Sequence, residues 1–292
     1  MAKILKGKPV ADKINRESIA KVEKLRENGT QSTLAILRVG ARADDISYER
    51  GAMKRCDAVG VAVKNVILPE NVSQEALMEE LDQLNKDCNV HGILVFRPLP
   101  KHLDEEAVRL AMDSAKDVDG ITDGSLAGVF TNTPVGFCPC TAQAALEILD
   151  YYGVKCSGKR AAVIGRSLVV GRPAAMLLMH KNATVTICHT RTADMPSVTK
   201  EADIVIVCAG KMETIDAKYF RPGQTVIDVG IGYNENKGKL CGDVDYDAAE
   251  PIVNAITPVP GGVGSVTTAV LVKHVVEAAG RAEESGNADG AD

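Results

Sequence analysis

Apolar positions recur along the chain in two alternating rhythms. Residues 8–28, KPVADKINRESIAKVEKLREN, repeat apolar side chains at helical spacing. STLAILRVG then forms a short apolar run ending in glycine, as a buried strand does. Residues 47–59 predict a helix capped by Ser47, VAVKNVILP a strand, SQEALMEELDQLNKD a helix, and HGILVF a strand that enters the stiff turn RPLP. Beyond these, CTAQAALEILDYYG predicts a helix with Thr141 as its cap, KRAAVIG a strand, SLVVGRPAAMLLMHKN a helix and ATVTICH a strand. ADIVIVCAG and QTVIDVGI predict two more strands, so that the stretch from about 158 to 230 reads as a nucleotide-binding β-α-β array. A Gly/Pro turn and a closing helix follow in ITPVPGGVGSVTTAVLVKHVVEAAGRAEE, and the small polar residues ESGNADGAD predict a disordered tail. Strands alternating with helices throughout predict the α/β class.

Composition narrows the function. A chain of 292 residues has room for two domains. Its net charge of −5, with no long basic stripe, argues against nucleic acid as a partner and leaves room for a small anionic cofactor at a local site. Trp is absent and aromatics are 3%, which disfavours base-stacking platforms. The N-terminus has no apolar signal core, and no run approaches the roughly 20 apolar residues of a membrane span. The eight cysteines are scattered, several inside apolar strand-like runs, which predicts reduced buried thiols and a cytoplasmic protein. Cys138-Pro-Cys140 is the only close pair; without a second pair or a His cluster it predicts no metal site.

AAVIGRSLVVGRP places Gly165 at a strand end and Gly171 six residues later, at a helix start. Backbone amides there can face an anion, and glycine lets a phosphate approach. The pattern G-R-S-x-x-x-G falls short of the full G-x-G-x-x-G fingerprint, and a tight βα turn alone would read the same. The next strand ends in Cys188-His189-Thr190-Arg191-Thr192, without the carboxylate that holds the ribose of NAD. Hydroxyls together with Arg191 and Arg166 suit a 2′-phosphate, so NADP is favoured over NAD. His189 could be catalytic, but a lone histidine at a strand end more often packs or hydrogen-bonds.

Taken together, GILVFRPLPKH, KDVDGI, PCTAQAALEIL, VIGRSLVVGRP, ATVTICHTRT, VIDVGI, GDVDYDAA and ITPVPGGVGSVTTAVL resemble the bifunctional methylenetetrahydrofolate dehydrogenase/cyclohydrolases, in family order and over nearly the whole chain. The resemblance implies a Rossmann-type NADP-binding domain at 140–271, an α/β folate-binding catalytic domain at 1–139 with 272–284, a cleft between them, and a tail at 285–292. It implies a cytoplasmic homodimer that oxidises 5,10-methylenetetrahydrofolate with NADP and hydrolyses the methenyl product. By the same resemblance Tyr48 and Asp119 are the catalytic residues. Both bind the folate, with the Pro260, Gly261 and Gly262 turn beside it. Gly165, Arg166, Ser167, Thr190, Arg191 and Ile231 would contact the cofactor.

Two departures from the family pattern bear on the chemistry. The family helix carries Tyr-x-x-x-Lys, one helical turn apart and on one face; here the fourth residue after Tyr48 is Ala52. Lys54 is six residues on, about 240° around the helix, and Arg55 is two turns away with a guanidinium that stays charged. The family's Gln partner of that lysine is Phe96 here. Hydride transfer needs orientation and close approach, whereas hydrolysis needs a group that moves protons. The expectation is therefore an NADP-dependent dehydrogenase with weak or absent cyclohydrolase activity. The alternatives are a full bifunctional enzyme, with Lys54 reaching the site through a helix distortion at Gly51, and a folate- or nucleotide-binding protein without turnover. Ala142 and Ala144, where the family has Pro and Gly, read as helix-compatible swaps, and Ser265 and Val266 could alter pterin packing.

Overall fold

The structure, a computed structural model, describes residues 1–289. Strand β1 (Lys3–Ile4) leads into α1 (Gly7–Glu27), followed by β2 (Thr33–Val39), α2 (Ala43–Val59), β3 (Ala62–Leu68), α3 (Gln74–Lys86), β4 (Gly92–Val95), α4 (Glu105–Ala111) and α5 (Asp123–Thr131). Next come α6 (Cys140–Tyr151), β5 (Arg160–Ile164), α7 (Gly171–His180), β6 (Thr184–Cys188), α8 (Met195–Lys200), β7 (Ile204–Val207) and β8 (Thr225–Asp228). A hairpin of β9 (Gly232–Asn234) and β10 (Lys239–Cys241), then α9 (Tyr246–Ala249), β11 (Ala255–Ile256) and α10 (Gly264–Asp289), complete the chain.

Two compact units result. One comprises Met1–Asp12 and Pro139–Thr267, the other Lys13–Cys138 and the chain from Thr268 onward. The first is built on a six-stranded sheet in the order β1-β11-β8-β7-β5-β6, every pairing parallel. Its central strands β7 and β8 are buried along their whole length, as strands covered on both faces are. The second carries a three-stranded parallel sheet, β3-β2-β4. Leu77, Leu81 and Leu84 lie on one face of α3 and pack on Ala35, Leu37, Ile93 and Val95 of that sheet. Ser73 caps α3 by accepting the Ala76 N–H at 3.2 Å.

Several expectations change. Residues 1–12 belong with the dinucleotide-type unit because β1 joins β11: Lys3 N–H donates to Asn254 O at 2.9 Å and Leu5 N–H to Ile256 O at 2.8 Å. Helix α2 begins at Ala43, not at Ser47. Asp44 and Asp45 suit the positive end of the helix, and Arg42 pairs with Asp45 at 2.7 Å. Helix α6 begins at Cys140, directly after Pro139, so Thr141 lies inside it and is not the cap. Helix α7 begins only at Gly171, leaving residues 165–170 as a loop. At the far end, residues 285–289 continue α10 and do not form an irregular tail, in keeping with the helix-forming Ala and Glu around them. Residues 290–292 lie outside the described residues.

Candidate functional site

In a parallel sheet all strands end on one edge, which is where such folds bind their ligands. The β5–β6 register places Ile164 beside Cys188, and Gly165 N–H donates to Cys188 O at 2.9 Å. Arg166 is therefore carried next to the 189–192 turn. Gly165 has φ +133°, and a Cβ there would run into the Cys208 carbonyl; a Cβ on Gly171 would run into the Gly165 carbonyl. The two glycines let backbone fold onto backbone, so the turn is more than a tight βα connection. The Ser167 hydroxyl accepts the Val170 N–H at 3.1 Å, which closes the turn and leaves its own proton to donate. Arg166, Ser167, Thr190 and Arg191 are all exposed. This cradle, with two guanidiniums and two hydroxyls at its mouth, fits a dinucleotide carrying an extra phosphate. His189 shapes the turn: its Nδ1 accepts the Arg191 N–H at 3.1 Å and its N–H donates to the Thr192 hydroxyl at 2.9 Å.

Ile231, 62% exposed, follows β8 on the same sheet edge. Its approach is set by two buried carboxyls that the sequence did not single out. Asp228 accepts N–H groups from Gly230, Asp243 and Val244 at 3.0–3.1 Å, and Asp243 accepts the Gly210 N–H at 2.8 Å. Burial pushes the Asp228 carboxyl up to about 7 against the pull of those N–H groups, with Asp243 adding to the rise. The Cys208 thiol is pushed up to about 12 by burial and by the same two acids, so it stays protonated. Glycines 230 and 242 are the available sequence signal, since a Cβ on either would strike the opposite carboxyl. Pro260, Gly261 and Gly262 follow β11 on this edge. Gly261 takes φ +96° and its carbonyl accepts the Gly7 N–H at 2.8 Å, while Ser265 Oγ donates to Gly262 O at 2.7 Å.

In the second unit, Tyr48 sits on α2 with 39% of its surface exposed and makes a T-shaped contact with Phe96, just past β4, at 5.7 Å between centroids and 83° between planes. Ala52, one turn on, is fully buried. Lys54 is exposed, and α2 passes through Gly51 unbroken. On another face of the same helix Glu49 pairs with Arg38 of β2 at 2.7 Å, both side chains nearly buried. Asp119 is half-buried and follows a segment annexed to β4: Asp117 bridges Ile93 in parallel, and Ile93 N–H donates to Lys116 O at 2.7 Å. Asp117 itself is fully buried and accepts N–H groups from Gly120, Ile121 and Thr122 and the Ser125 hydroxyl at 2.7–3.0 Å. It builds the loop that carries Asp119. The D-x-x-G turn pattern around it was the signal that could have found it. All eight cysteines are free, and among the described residues no cluster of His, Cys, Asp and Glu could hold a metal.

A parallel sheet with a glycine-built phosphate cradle at its strand ends, in a chain with a second α/β unit, defines a two-domain dinucleotide-binding protein. Residues 139–283 match the NAD(P)-binding domain of tetrahydrofolate dehydrogenase/cyclohydrolase and residues 5–119 match its catalytic domain, and the chain belongs to that family. It is 51% identical over 279 residues to the bifunctional protein FolD of Carboxydothermus hydrogenoformans, covering 95% of this chain and 97% of that one. Among solved structures it is similar to the bifunctional FolD of Campylobacter jejuni, with TM-score 0.93, 36% identity and coverage of 96% and 99%. It is also similar to the Trypanosoma brucei FolD, solved with NADP and an inhibitor, with TM-score 0.88, 35% identity and coverage of 96% and 98%.

Proposed function

We propose that the chain oxidises 5,10-methylenetetrahydrofolate to the 5,10-methenyl compound with NADP in one-carbon metabolism, and that its cyclohydrolase activity is weak or absent. The observation that carries the second half is the fully buried Ala52 one turn beyond Tyr48, together with Phe96 against Tyr48, at the positions of the family's lysine and glutamine. When bound, the nicotinamide supplies hydride acceptance. The protein's part is orientation: the glycine cradle with Ser167 and Arg166 seats the dinucleotide, and Tyr48 and Asp119 seat the folate. Neither half of that work requires a group that shuttles protons at position 52. Formation of NADPH on mixing the protein with methylenetetrahydrofolate and NADP tests the dehydrogenase directly; binding of both ligands without NADPH formation would replace it with a non-catalytic binding protein.

The second reading, a full bifunctional enzyme, is favoured by the naming of the relatives. Its route through Lys54 is opposed by the exposure of that residue and the unbroken helix at Gly51. Cofactor choice gives a separate expectation. Arg166→Ala and Arg191→Ala are each expected to raise the KM for NADP about tenfold, as loss of a charge-assisted bond does, with the NAD value little changed. Equal effects on both dinucleotides would remove the 2′-phosphate from the account. A cytoplasmic homodimer follows from the family resemblance; sedimentation of the purified protein checks the dimer. Among the described residues no helix is long and apolar enough to cross a membrane.

A further inference from the structure

The carboxylate assigned to the folate sits on a loop whose neighbours are anchored on both of its flanks. Asp117 is locked by four donors, as described. Val118, fully buried, is held through its carbonyl: Nδ1 of His274, on α10, lies 2.8 Å from Val118 O. A carbonyl can only accept, so Nδ1 carries the proton and donates. The imidazole is itself fixed. It is 1% exposed and packs on the Phe137 ring at 4.9 Å between centroids and 33° between planes. Arg281, two turns further along α10, holds Phe137 from the same helix face, with its guanidinium 4.3 Å from the ring centre and Nη1 donating to Gly136 O at 2.9 Å. Phe137 N–H then donates to Ser125 Oγ at 3.2 Å, the same hydroxyl that donates to Asp117. The ring's environment suits a neutral donor: burial holds His274 down at about 4, below its ordinary 6.5.

We propose that His274 is a positioning residue for the folate carboxylate: by holding the Val118 carbonyl it fixes the backbone immediately before Asp119 and thereby sets where that carboxylate points. The inference rests on the reading of Asp119 as a folate-binding residue. It uses a group far away in sequence, on α10 and more than two turns beyond Ser265 and Val266. Its consequence is specific. Removing the donor loosens one loop of the folate unit and leaves the dinucleotide cradle untouched.

The test is a double-mutant cycle on the full-length protein. His274→Leu is expected to raise the KM for methylenetetrahydrofolate about tenfold, the scale of one buried hydrogen bond, with kcat reduced less and the KM for NADP unchanged. His274→Asn, whose side-chain amide can place a donor where Nδ1 lies, is expected to restore the folate KM to within about threefold. In an Asp119→Asn background the same His274→Leu change is expected to have no further effect on folate KM. An equal effect of His274→Leu with and without Asp119 would overturn positioning in favour of general destabilisation, and an unchanged folate KM in the single variant would overturn it outright. If instead Asp119→Asn alone leaves folate KM unaltered, the assignment of Asp119 is what fails. Should His274→Leu not fold, the comparison moves to His274→Asn against His274→Gln. The longer amide cannot occupy the Nδ1 position, so the Gln variant is expected to show the higher folate KM; equal values would count against the proposal.

Discussion

Mixed with 5,10-methenyltetrahydrofolate, the purified protein is expected to hydrolyse it at no more than about one-hundredth of the rate of a family member that keeps Tyr-x-x-x-Lys. The figure is the lower end of what a positioned proton-transfer group contributes, about 10²–10⁴-fold. Water attacking the methenyl carbon needs protons moved as the C–N bond breaks, and Ala52 has none to offer. Neighbouring basic residues do not substitute. Lys54 points to solvent, and Arg55 lies two turns beyond Tyr48. Restoring the lysine is informative in a graded way. Ala52→Lys alone would force an ammonium into a fully buried position one turn beyond Tyr48, so it is expected to lower stability and recover little hydrolysis. Ala52→Lys with Phe96→Gln supplies a polar partner in place of the ring and is expected to raise hydrolysis at least about tenfold over the single variant. A wild-type rate equal to that of a lysine-bearing relative would sink this account, whatever the double variant did.

The second large effect concerns stability. Glu49→Ala is expected to destabilise the unit of residues 13–138 and 268 onward by about 3–5 kcal/mol, because it leaves the Arg38 guanidinium buried without its counter-charge. Arg38 also donates to Gly40 O, which keeps the guanidinium from swinging out to water. The pair lies under α2, so the loss also loosens the helix that carries Tyr48. Replacing both partners, Arg38→Met with Glu49→Leu, is expected to recover most of the loss, since an apolar pair carries no desolvation penalty. Urea unfolding followed by a probe confined to that unit reads the effect, because a two-unit chain need not unfold in one step. A shift below about 1 kcal/mol for Glu49→Ala would mean the pair is solvated and contributes no more than a surface bridge does.

How much of this was legible beforehand depended on the range of the interaction involved. TLAILRV, GILV and IVIV declare themselves as buried strands because the signal lies within each run. The cradle at Gly165 and Gly171 was visible as spacing, although only the approach to Cys208 O explains why Gly165 must be glycine. Helix starts were misplaced where local chemistry competed. Ser47 has cap chemistry, yet the acidic pair Asp44-Asp45 and Arg42 start α2 four residues earlier. Strand β1 was not legible at all, because two residues carry no period and acquire meaning only opposite Ala255 and Ile256. The partners of Asp117 are local and could have been read from its turn. Those of His274 and Glu49 could not, because each is paired across a stretch of chain that only the fold brings together.

That first strand has a consequence for how the chain is made. Lys3 and Ile4 are synthesised long before their strand partners, Ala255 and Ile256. The unit begun by Lys13 must likewise wait for α10 beyond Thr268. Each unit is thus completed by a segment made long after the one that opens it. The stretch around β2–β4 must wait, while the strands of the other unit are made, for the helix that supplies His274 and Arg281.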